Sequence, residues 1–220
     1  MNQKPFFANL GGWMITILTP FVLLLTAVRL MMTPMLLDLE YRMPGFPDDP
    51  YGFTMAERLR WSKLSMEYLL NQDSIEFFSA YILPDGSPLY NDRELSHMDD
   101  VKRVVAAGRN IWLGILVLFV GLSLGLSLRG HYPTWLRSIR RGGWLLIGMM
   151  IALVLSIILS FDQLFTQFHN LFFASGTWTF YYTDTFIRLF PIRFWQDCFI
   201  YSAILSVIAA IVFIRLGRNH

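Results

Sequence analysis

The sequence is poor in charged residues and in cysteine. Asp, Glu, Lys and Arg make up 15% of its 220 residues, whereas about 25% is usual in soluble domains. Cys198 is the only cysteine, so no internal disulfide can form. Without a CxxC or Cys/His spacing, a thiolate metal site is not expected either. The net charge is +2, but the basic residues form no continuous face, which argues against nucleic-acid binding.

Familiar catalytic motifs are also missing. The chain contains no GxSxG, no HExxH and no glycine-rich phosphate loop, the patterns that mark serine hydrolases, zinc proteases and nucleotide-driven enzymes. Its long apolar runs have no Asp, Glu, Lys or His in their middles. An ion path at the centre of a membrane, as in a transporter, is therefore not expected.

Hydrophobic residues dominate instead, at 55% of the chain. Four runs approach the roughly 20 residues that a helix needs to cross about 30 Å of hydrocarbon. A helix is required there because lipid cannot solvate unpaired backbone groups. No Ala-x-Ala cleavage pattern follows the first run, so we interpret it as an uncleaved anchor. The predicted spans cover about residues 13–32, 111–128, 144–161 and 199–216.

The distribution of basic residues predicts the orientation of these spans. Short cytoplasmic loops carry an excess of Lys and Arg. The loop between the second and third spans has four arginines and no acidic residue. Lys4, Arg215 and Arg218 fit the same side, so we expect both termini in the cytoplasm of a multi-pass bacterial cell-membrane protein. Residues 33–110 and 162–198 then lie on the outer face.

The first outer segment, residues 33–110, shows local folding signals. Thr54 followed by Glu57 is a capping-box pattern, which predicts a helix over Met55–Leu70. The turn signal at 84–86 predicts a small hairpin between 77–83 and 87–90. Ser96 and Asp99 predict the start of a helix that continues into the second span. The expected fold is an all-α membrane protein: a single domain over 1–220, built as a four-transmembrane-helix bundle with a small mixed α/β extracytoplasmic subdomain between helices 1 and 2.

The second outer segment, residues 162–198, is rich in Phe, Tyr and Trp. Aromatic residues at this density suit the membrane interface, where a lid or a lipid groove would lie. The predicted topology brings His97 and His169 to this outer face. A single histidine in the headgroup region is more often structural than catalytic. Two histidines at the depth of several acidic and basic side chains leave the catalytic and structural interpretations both open.

Two local effects bear on these histidines. In the first turn of a helix opened by Ser96, the positive helix end would disfavour a charged His97, whereas Asp99 and Asp100 would favour it. Asp184 and Arg188 lie four residues apart and can pair with each other on a helix face. They can equally orient a histidine or hold a lipid headgroup, and the sequence leaves both alternatives open.

At these residues the sequence resembles the lipoprotein intramolecular transacylases. The order and spacing of four stretches carry the resemblance: Arg93–Lys102 (RELSHMDDVK), Phe168–Phe173 (FHNLFF), Gly176–Phe180 (GTWTF) and Asp184–Pro191 (DTFIRLFP). It spans nearly the whole chain. The resemblance implies that the free amine of an N-terminal cysteine attacks the sn-2 ester of its own diacylglyceryl group, giving a lyso-form lipoprotein.

The same resemblance implies roles for individual residues. His97 and His169 would act as base and as acid or oxyanion donor, in an order that is not determined, and no cofactor or metal would be needed. Asp184 and Arg188 would orient groups or stabilise charge. The other residues implied to support the site or bind the substrate are Asp99, Asp100, Asn170, Trp178 and Tyr181. The expected partners are a diacylglyceryl-modified lipoprotein and membrane lipids.

Other function classes use the same two histidines. His97 and His169 could ligate haem or a metal, which would require both rings to face one cavity. They could also belong to a lipid-binding membrane protein without catalytic activity. A visible absorption band of the purified protein would distinguish the haem alternative from the enzyme.

Overall fold

The structure, a computed structural model, describes residues 3–174 and 176–218, with side chains from residue 6 onward. Lys4, on which the cytoplasmic prediction partly rests, lies outside these described side chains. The described part is helical, with the following elements: α1 Gln3–Met31, α2 Pro34–Glu40, α3 Met55–Leu70, α4 Ile75–Ser79, α5 Asp92–Leu128, α6 Tyr132–Phe172, α7 Thr185–Leu189 and α8 Ile192–Leu216.

Four of these helices, α1, α5, α6 and α8, are long and apolar enough to cross a membrane. The prediction of an all-α protein with four apolar helices is therefore confirmed. The chain divides into two compact units, the first made of Met1–Leu30, Arg109–Phe161 and Ile200–His220, and the second of Met31–Gly108 and Asp162–Phe199.

The first unit is a packed helical bundle. Ile15 of α1 and Ile139 of α6 are fully buried in one apolar cluster, and Leu146 of α6 packs with Ala210 of α8 in another. Small residues permit the close helix contacts. A Cβ atom at Gly142 would lie 2.4 Å from Cβ of Thr19, so only glycine fits where α6 meets α1.

Two of the long helices differ from the prediction. Helix α5 begins at Asp92, four residues before Ser96. The reason is that Asn91 and Glu94 cap it reciprocally: the Asn91 backbone N–H donates to Glu94 and the Glu94 N–H donates to the Asn91 side chain. His97 therefore lies in the second turn and not in the first. Helix α6 extends to Phe172, with non-helical backbone at Ser160.

The second unit is organised around α3. This helix spans Met55–Leu70 as predicted, and both hydrogen bonds of the Thr54–Glu57 capping box are present. Its apolar face buries Trp61 and Met66 in the largest apolar cluster of the described residues, and Leu59, Leu64 and Leu69 pack against that cluster. The apolar face that the sequence pattern predicts for α3 therefore packs against this cluster.

The predicted α/β subdomain is wrong, because the described residues contain no strand beyond a single isolated bridge between Ile82 and Pro88. The turn itself forms, with Gly86 at φ 85°. However, the apolar run before it starts as helix α4, since Phe78 is buried between Tyr68 and Tyr90, with ring centroids 4.4 Å and 5.1 Å away. Two backbone hydrogen bonds close the turn, from Leu83 N–H to Ser87 and from Leu89 N–H to Tyr81, but too few extended residues remain on either side to form strands.

Candidate active site

The two predicted histidines lie together in the second unit. The ring centroids of His97 and His169 are 6.4 Å apart, and the ring planes are inclined by 24°. Phe173 contacts both rings, at 4.8 Å from His97 and 5.6 Å from His169. We call the two histidines and the aromatic rings around them the histidine cluster; the other rings are Phe165, Phe168, Trp178, Phe180 and Phe186.

His97 is the more deeply buried of the pair, with 3% of its surface exposed. Helix α5 presents it one turn after the cap formed by Asn91 and Glu94. Its Nδ1 atom is buried and has no hydrogen-bond partner among the described residues. A buried ring nitrogen without a partner is costly in a folded protein, so a ligand that bonds to this atom would remove an unfavourable feature.

His169 lies on the part of α6 that follows Ser160. Its Nδ1 atom is 2.8 Å from the carbonyl oxygen of Phe165. A carbonyl oxygen only accepts hydrogen bonds, so Nδ1 carries the hydrogen, and in the neutral ring Nε2 has the free lone pair. The backbone of α6 thereby selects the tautomer whose basic atom is Nε2.

Trp178 adds a donor to the histidine cluster. Its ring lies 4.7 Å from that of His169, inclined by 35°. The indole Nε1 atom is buried and has no hydrogen-bond partner among the described residues. An indole nitrogen can only donate. The cluster therefore combines one basic nitrogen, one buried imidazole nitrogen without a partner, and one buried N–H that is available to an acceptor.

Glu94 connects the helix that carries His97 to the aromatic segment around it. The carboxylate is buried, with 1% of the residue exposed. One oxygen accepts from the backbone N–H of Phe186 at 2.6 Å, and the other accepts from the backbone N–H of Asn91. Because the ring of Phe186 contacts His97 at 5.6 Å, Glu94 fixes one wall of the histidine cluster.

Asp184 reinforces this attachment. It accepts hydrogen bonds from Arg93 at 2.7 Å, from the Asn91 side chain and from the Tyr181 backbone. The guanidinium of Arg93 also lies 5.0 Å from the ring of Tyr181, which is otherwise exposed. Asp184 thus pairs with α5 and not with Arg188, and it holds the start of α7.

Arg188 is paired with Asp49. The Nη2–Oδ2 distance is 2.8 Å, and the side chains are 13% and 0% exposed. The guanidinium also lies 3.6 Å from the ring of Phe53. Burial of Asp49 opposes its ionisation, but the hydrogen bonds from Arg188 and from the Phe53 backbone hold the pKa of Asp49 below its usual value. Neither side chain contacts the two histidines, and their bond fastens the 41–54 loop to α7.

The remaining predicted residues are partly or fully exposed. Asp99 and Asp100 both pair with Arg103 on α5, and Asn170 is exposed. Among the described residues, no three His, Cys, Asp or Glu side chains are close enough together to hold a metal ion.

Sequence reasoning missed Glu94, Arg93 and Asp49 as site-supporting residues. Glu94 and Arg93 stand within the motif that contains His97, and Asn91 followed three residues later by Glu94 is a recognisable capping pattern. That pattern could have located the helix start. It could not have shown that Glu94 also binds a backbone group 92 positions away.

Comparisons with known proteins identify relatives over most of the chain. A family model described as lipoprotein intramolecular transacylase Lit matches residues 13–195. A protein of Aquifex aeolicus with no assigned function is 30% identical over 205 residues, covering 92% of this chain and 91% of that protein.

Solved structures show the same fold. The in meso structure of the membrane-integral lipoprotein intramolecular transacylase from Bacillus cereus matches with a TM-score of 0.78 at 21% identity, over 100% of this chain and 96% of that one. A structure of the same protein with a histidine-to-arginine substitution matches with a TM-score of 0.77 at 20% identity, over 98% and 92% of the two chains.

Proposed function

The chain belongs to the lipoprotein intramolecular transacylase family, and on this premise we propose that it moves one acyl chain within a diacylglyceryl lipoprotein. The family makes it an acyltransferase, and its four apolar helices make it a multi-pass membrane protein. In the proposed reaction the free amine of the substrate's N-terminal cysteine attacks the sn-2 ester of the same molecule. A C–N bond forms, the ester C–O bond breaks, and the product is an N-acylated lyso-form lipoprotein.

The observation that carries this proposal is the histidine pair. Two histidines with ring centroids 6.4 Å apart are close enough to act on one ester and one amine. Aromatic rings surround both, which suits a site that receives acyl chains and excludes water. Two groups that exchange protons with neighbouring substrate atoms are what general acid–base catalysis requires.

We assign His169 as the base. An α-amino group has a pKa of about 7.7 to 8.0 and is mostly protonated at pH 7, so it must lose a proton to become a nucleophile. The hydrogen bond from Nδ1 to Phe165 leaves the lone pair of the neutral ring on Nε2. The ammonium form first loses its extra proton to solvent, and Nε2 of His169 then takes the second proton, which the nitrogen must lose as the C–N bond forms.

We assign His97 and Trp178 to the ester. The Nε1–H of Trp178 donates to the carbonyl oxygen, which becomes negatively charged as the amine attacks. His97 supplies a proton to the glyceryl oxygen as the C–O bond breaks, and the proton held by His169 then restores His97. Overall, one proton moves from the amine nitrogen to the glyceryl oxygen. The buried Nδ1 of His97 and Nε1 of Trp178, both without a partner, support these roles because substrate would satisfy them.

No acyl-enzyme is needed in this mechanism. Nucleophile and ester belong to one molecule, so the protein's main contribution is to bring them into reacting geometry. This agrees with the absence of an activated Ser or Cys motif from the sequence. Asp184 and Arg188 act as positioning residues through Arg93 and Asp49. We propose that the site faces the outer side of the membrane, where the charge distribution puts residues 33–110 and 162–198.

Mass spectrometry of a diacylglyceryl lipopeptide tests this function. The purified protein should leave the total mass unchanged and move one acyl group from the glyceryl oxygen to the cysteine nitrogen, which fragmentation locates. His97→Ala and His169→Ala should each slow this transfer by about 10² to 10⁴-fold.

His131→Ala is the matched control, because it removes the same ring from the first unit and should leave the rate unchanged. Wild-type protein that leaves the lipopeptide unaltered, or a pair of histidine variants as fast as the control, would contradict the proposal.

A further inference from the structure

A polar cavity of about 130 Å³ lies in the first unit, between α1 and the start of α6. Asn9 and Trp13 line it from α1, and Thr134, Arg137 and Arg141 line it from α6. None of these residues belongs to the histidine cluster. The cavity can hold several waters or one small polar group.

The lining of this cavity is positively charged. Arg137 and Arg141 lie four residues apart, so they project from the same face of α6. Neither guanidinium forms an ion pair with a described carboxylate, and the lining contains no Asp or Glu. Two cations in one cavity without an acidic neighbour repel each other, so an anion bound there would relieve the repulsion.

Both arginines are exposed side chains that make contacts within the cavity region. The Arg137 guanidinium is 3.3 Å from the Pro133 carbonyl oxygen and 3.4 Å from Thr134 Oγ1. The Arg141 guanidinium carbon is 5.6 Å from the centroid of the Trp13 ring, a cation–π distance. These contacts leave guanidinium N–H groups available to a ligand.

Helices α1 and α6 are in close contact beneath the cavity. A Cβ atom at Gly12 would lie 2.9 Å from Ser138 Oγ and 3.0 Å from Thr134 Cγ2. Thr16 also donates across this contact to the Ser138 carbonyl oxygen. A larger residue at position 12 would push Ser138 and Thr134 of α6 out of this close contact with α1.

The surroundings of the cavity indicate its ligand. Both helices are long and apolar enough to cross a membrane, and the cavity lies within the first three turns of α6, at the end of an apolar helix. Trp is typical of the membrane interface, and basic pockets between membrane helices bind anionic lipid headgroups. We propose that this cavity binds the phosphate group of an anionic phospholipid, independently of the acyl-transfer site.

Native mass spectrometry of the delipidated full chain tests this site with phosphatidylglycerol and phosphatidylcholine of the same acyl chains. Wild type should bind one phosphatidylglycerol in preference to phosphatidylcholine. The double variant Arg137→Gln/Arg141→Gln should bind phosphatidylglycerol about 30-fold more weakly, since each cation contributes roughly a fivefold factor.

The matched control is Arg129→Gln/Arg140→Gln, which loses the same charge from the same region but leaves the cavity lining intact. It should bind phosphatidylglycerol as wild type does. Equal losses in the two double variants would reduce the effect to diffuse surface charge and overturn the proposal, as would equal binding of the two lipids by wild type.

A single variant and a competition with inorganic phosphate complete the test. If the double variant unfolds, Arg141→Gln alone should weaken binding about fivefold, because that side chain makes no hydrogen bond to a described residue. Millimolar inorganic phosphate should fail to displace the lipid. Displacement would identify free phosphate as the ligand and contradict a lipid site.

Discussion

At the scale of single residues, the ring nitrogen atoms of the histidine cluster differ in whether they have hydrogen-bond partners. The backbone of α6 fixes the tautomer of His169 through Phe165. In contrast, His97 Nδ1 and Trp178 Nε1 are buried without partners in the described part of the chain. Most buried polar atoms in folded proteins are satisfied. Both atoms lie within one aromatic cluster around His169, and the proposed mechanism uses them as contacts for substrate.

Trp178→Phe tests the donor role directly. Phenylalanine keeps an aromatic ring beside His169 but removes the indole N–H, so the transition-state oxygen loses one hydrogen bond. We expect kcat to fall by about 10²-fold while KM changes little, measured with the lipopeptide assay. Trp144→Phe, at an exposed tryptophan of the first unit, should retain wild-type kcat. Equal kcat values in the two variants would contradict the assignment.

At the scale of helices, the site depends on how α7 and the aromatic segment before it are attached to α5. Glu94 binds the Phe186 backbone, and Asp184 binds Arg93. Both attachments lie at the start of α7, one at its N-cap residue Asp184 and the other at Phe186 in its first turn. Because Phe180 and Phe186 both contact His97, movement of α7 would change the surroundings of the imidazole. Glu94 and Asp184 therefore help to set the position of the rings around His97.

Glu94→Gln should loosen this attachment without a large change of shape. The amide can present only one acceptor oxygen, so it cannot accept from both the Asn91 and Phe186 backbone groups. We expect hydrogen exchange of the Phe186 amide to accelerate about fivefold, because one hydrogen bond contributes about 1 kcal/mol, and kcat to fall with it.

Glu67→Gln on the exposed face of α3 provides the control for this variant. Its exchange and its kcat should match those of wild type. Unchanged exchange in the 180–190 region of Glu94→Gln would show that the carboxylate does not hold α7.

The Asp49–Arg188 pair predicts a pH dependence of stability. The pKa of Asp49 is lower in the folded protein than its ordinary value, which is about 3.9 for an unfolded chain. The ionised pair therefore contributes its full stability above about pH 5, and that contribution is lost as pH falls below 4 toward the folded pKa. Asp49→Asn should unfold more easily than wild type at pH 6, by about 1–3 kcal/mol.

Thermal unfolding between pH 6 and pH 3 measures this difference. The gap between wild type and Asp49→Asn should narrow at the acidic end, because protonation removes the same charge from wild type. Asp48→Asn, at the exposed neighbouring position, should show a small gap throughout. A gap for Asp49→Asn that stays constant with pH would contradict the role of the ion pair.

The helices that were predictable from sequence are those specified by local contacts. The signals for α3 are local, because the Thr54–Glu57 cap and the apolar spacing each involve residues only three or four positions apart. That helix was predicted to its ends. The prediction of a strand at 77–83 was wrong because Phe78 packs against Tyr68 and Tyr90, a tertiary contact that favours helix α4. The attachments of Glu94 to Phe186 and of Arg188 to Asp49 join residues about 90 and 140 positions apart, and no local pattern specifies them.

At the scale of the whole molecule, the chain combines a membrane bundle with a histidine cluster in a family of acyltransferases. Its proposed substrate carries nucleophile and ester on one lipid-anchored group. The chemistry then needs neither a covalent intermediate nor a cofactor, and orientation of the two reacting groups can supply a large part of the rate. Transfer within one substrate molecule is therefore the central claim of the account.

A crossover experiment measures that claim most directly. Two diacylglyceryl lipopeptides are mixed with the purified protein, one with deuterated acyl chains on a heavy peptide and the other with ordinary chains on a light peptide. Intramolecular transfer predicts that every N-acylated product has matching labels. Products that join a deuterated chain to the light peptide, or an ordinary chain to the heavy one, would show transfer between molecules and contradict the account.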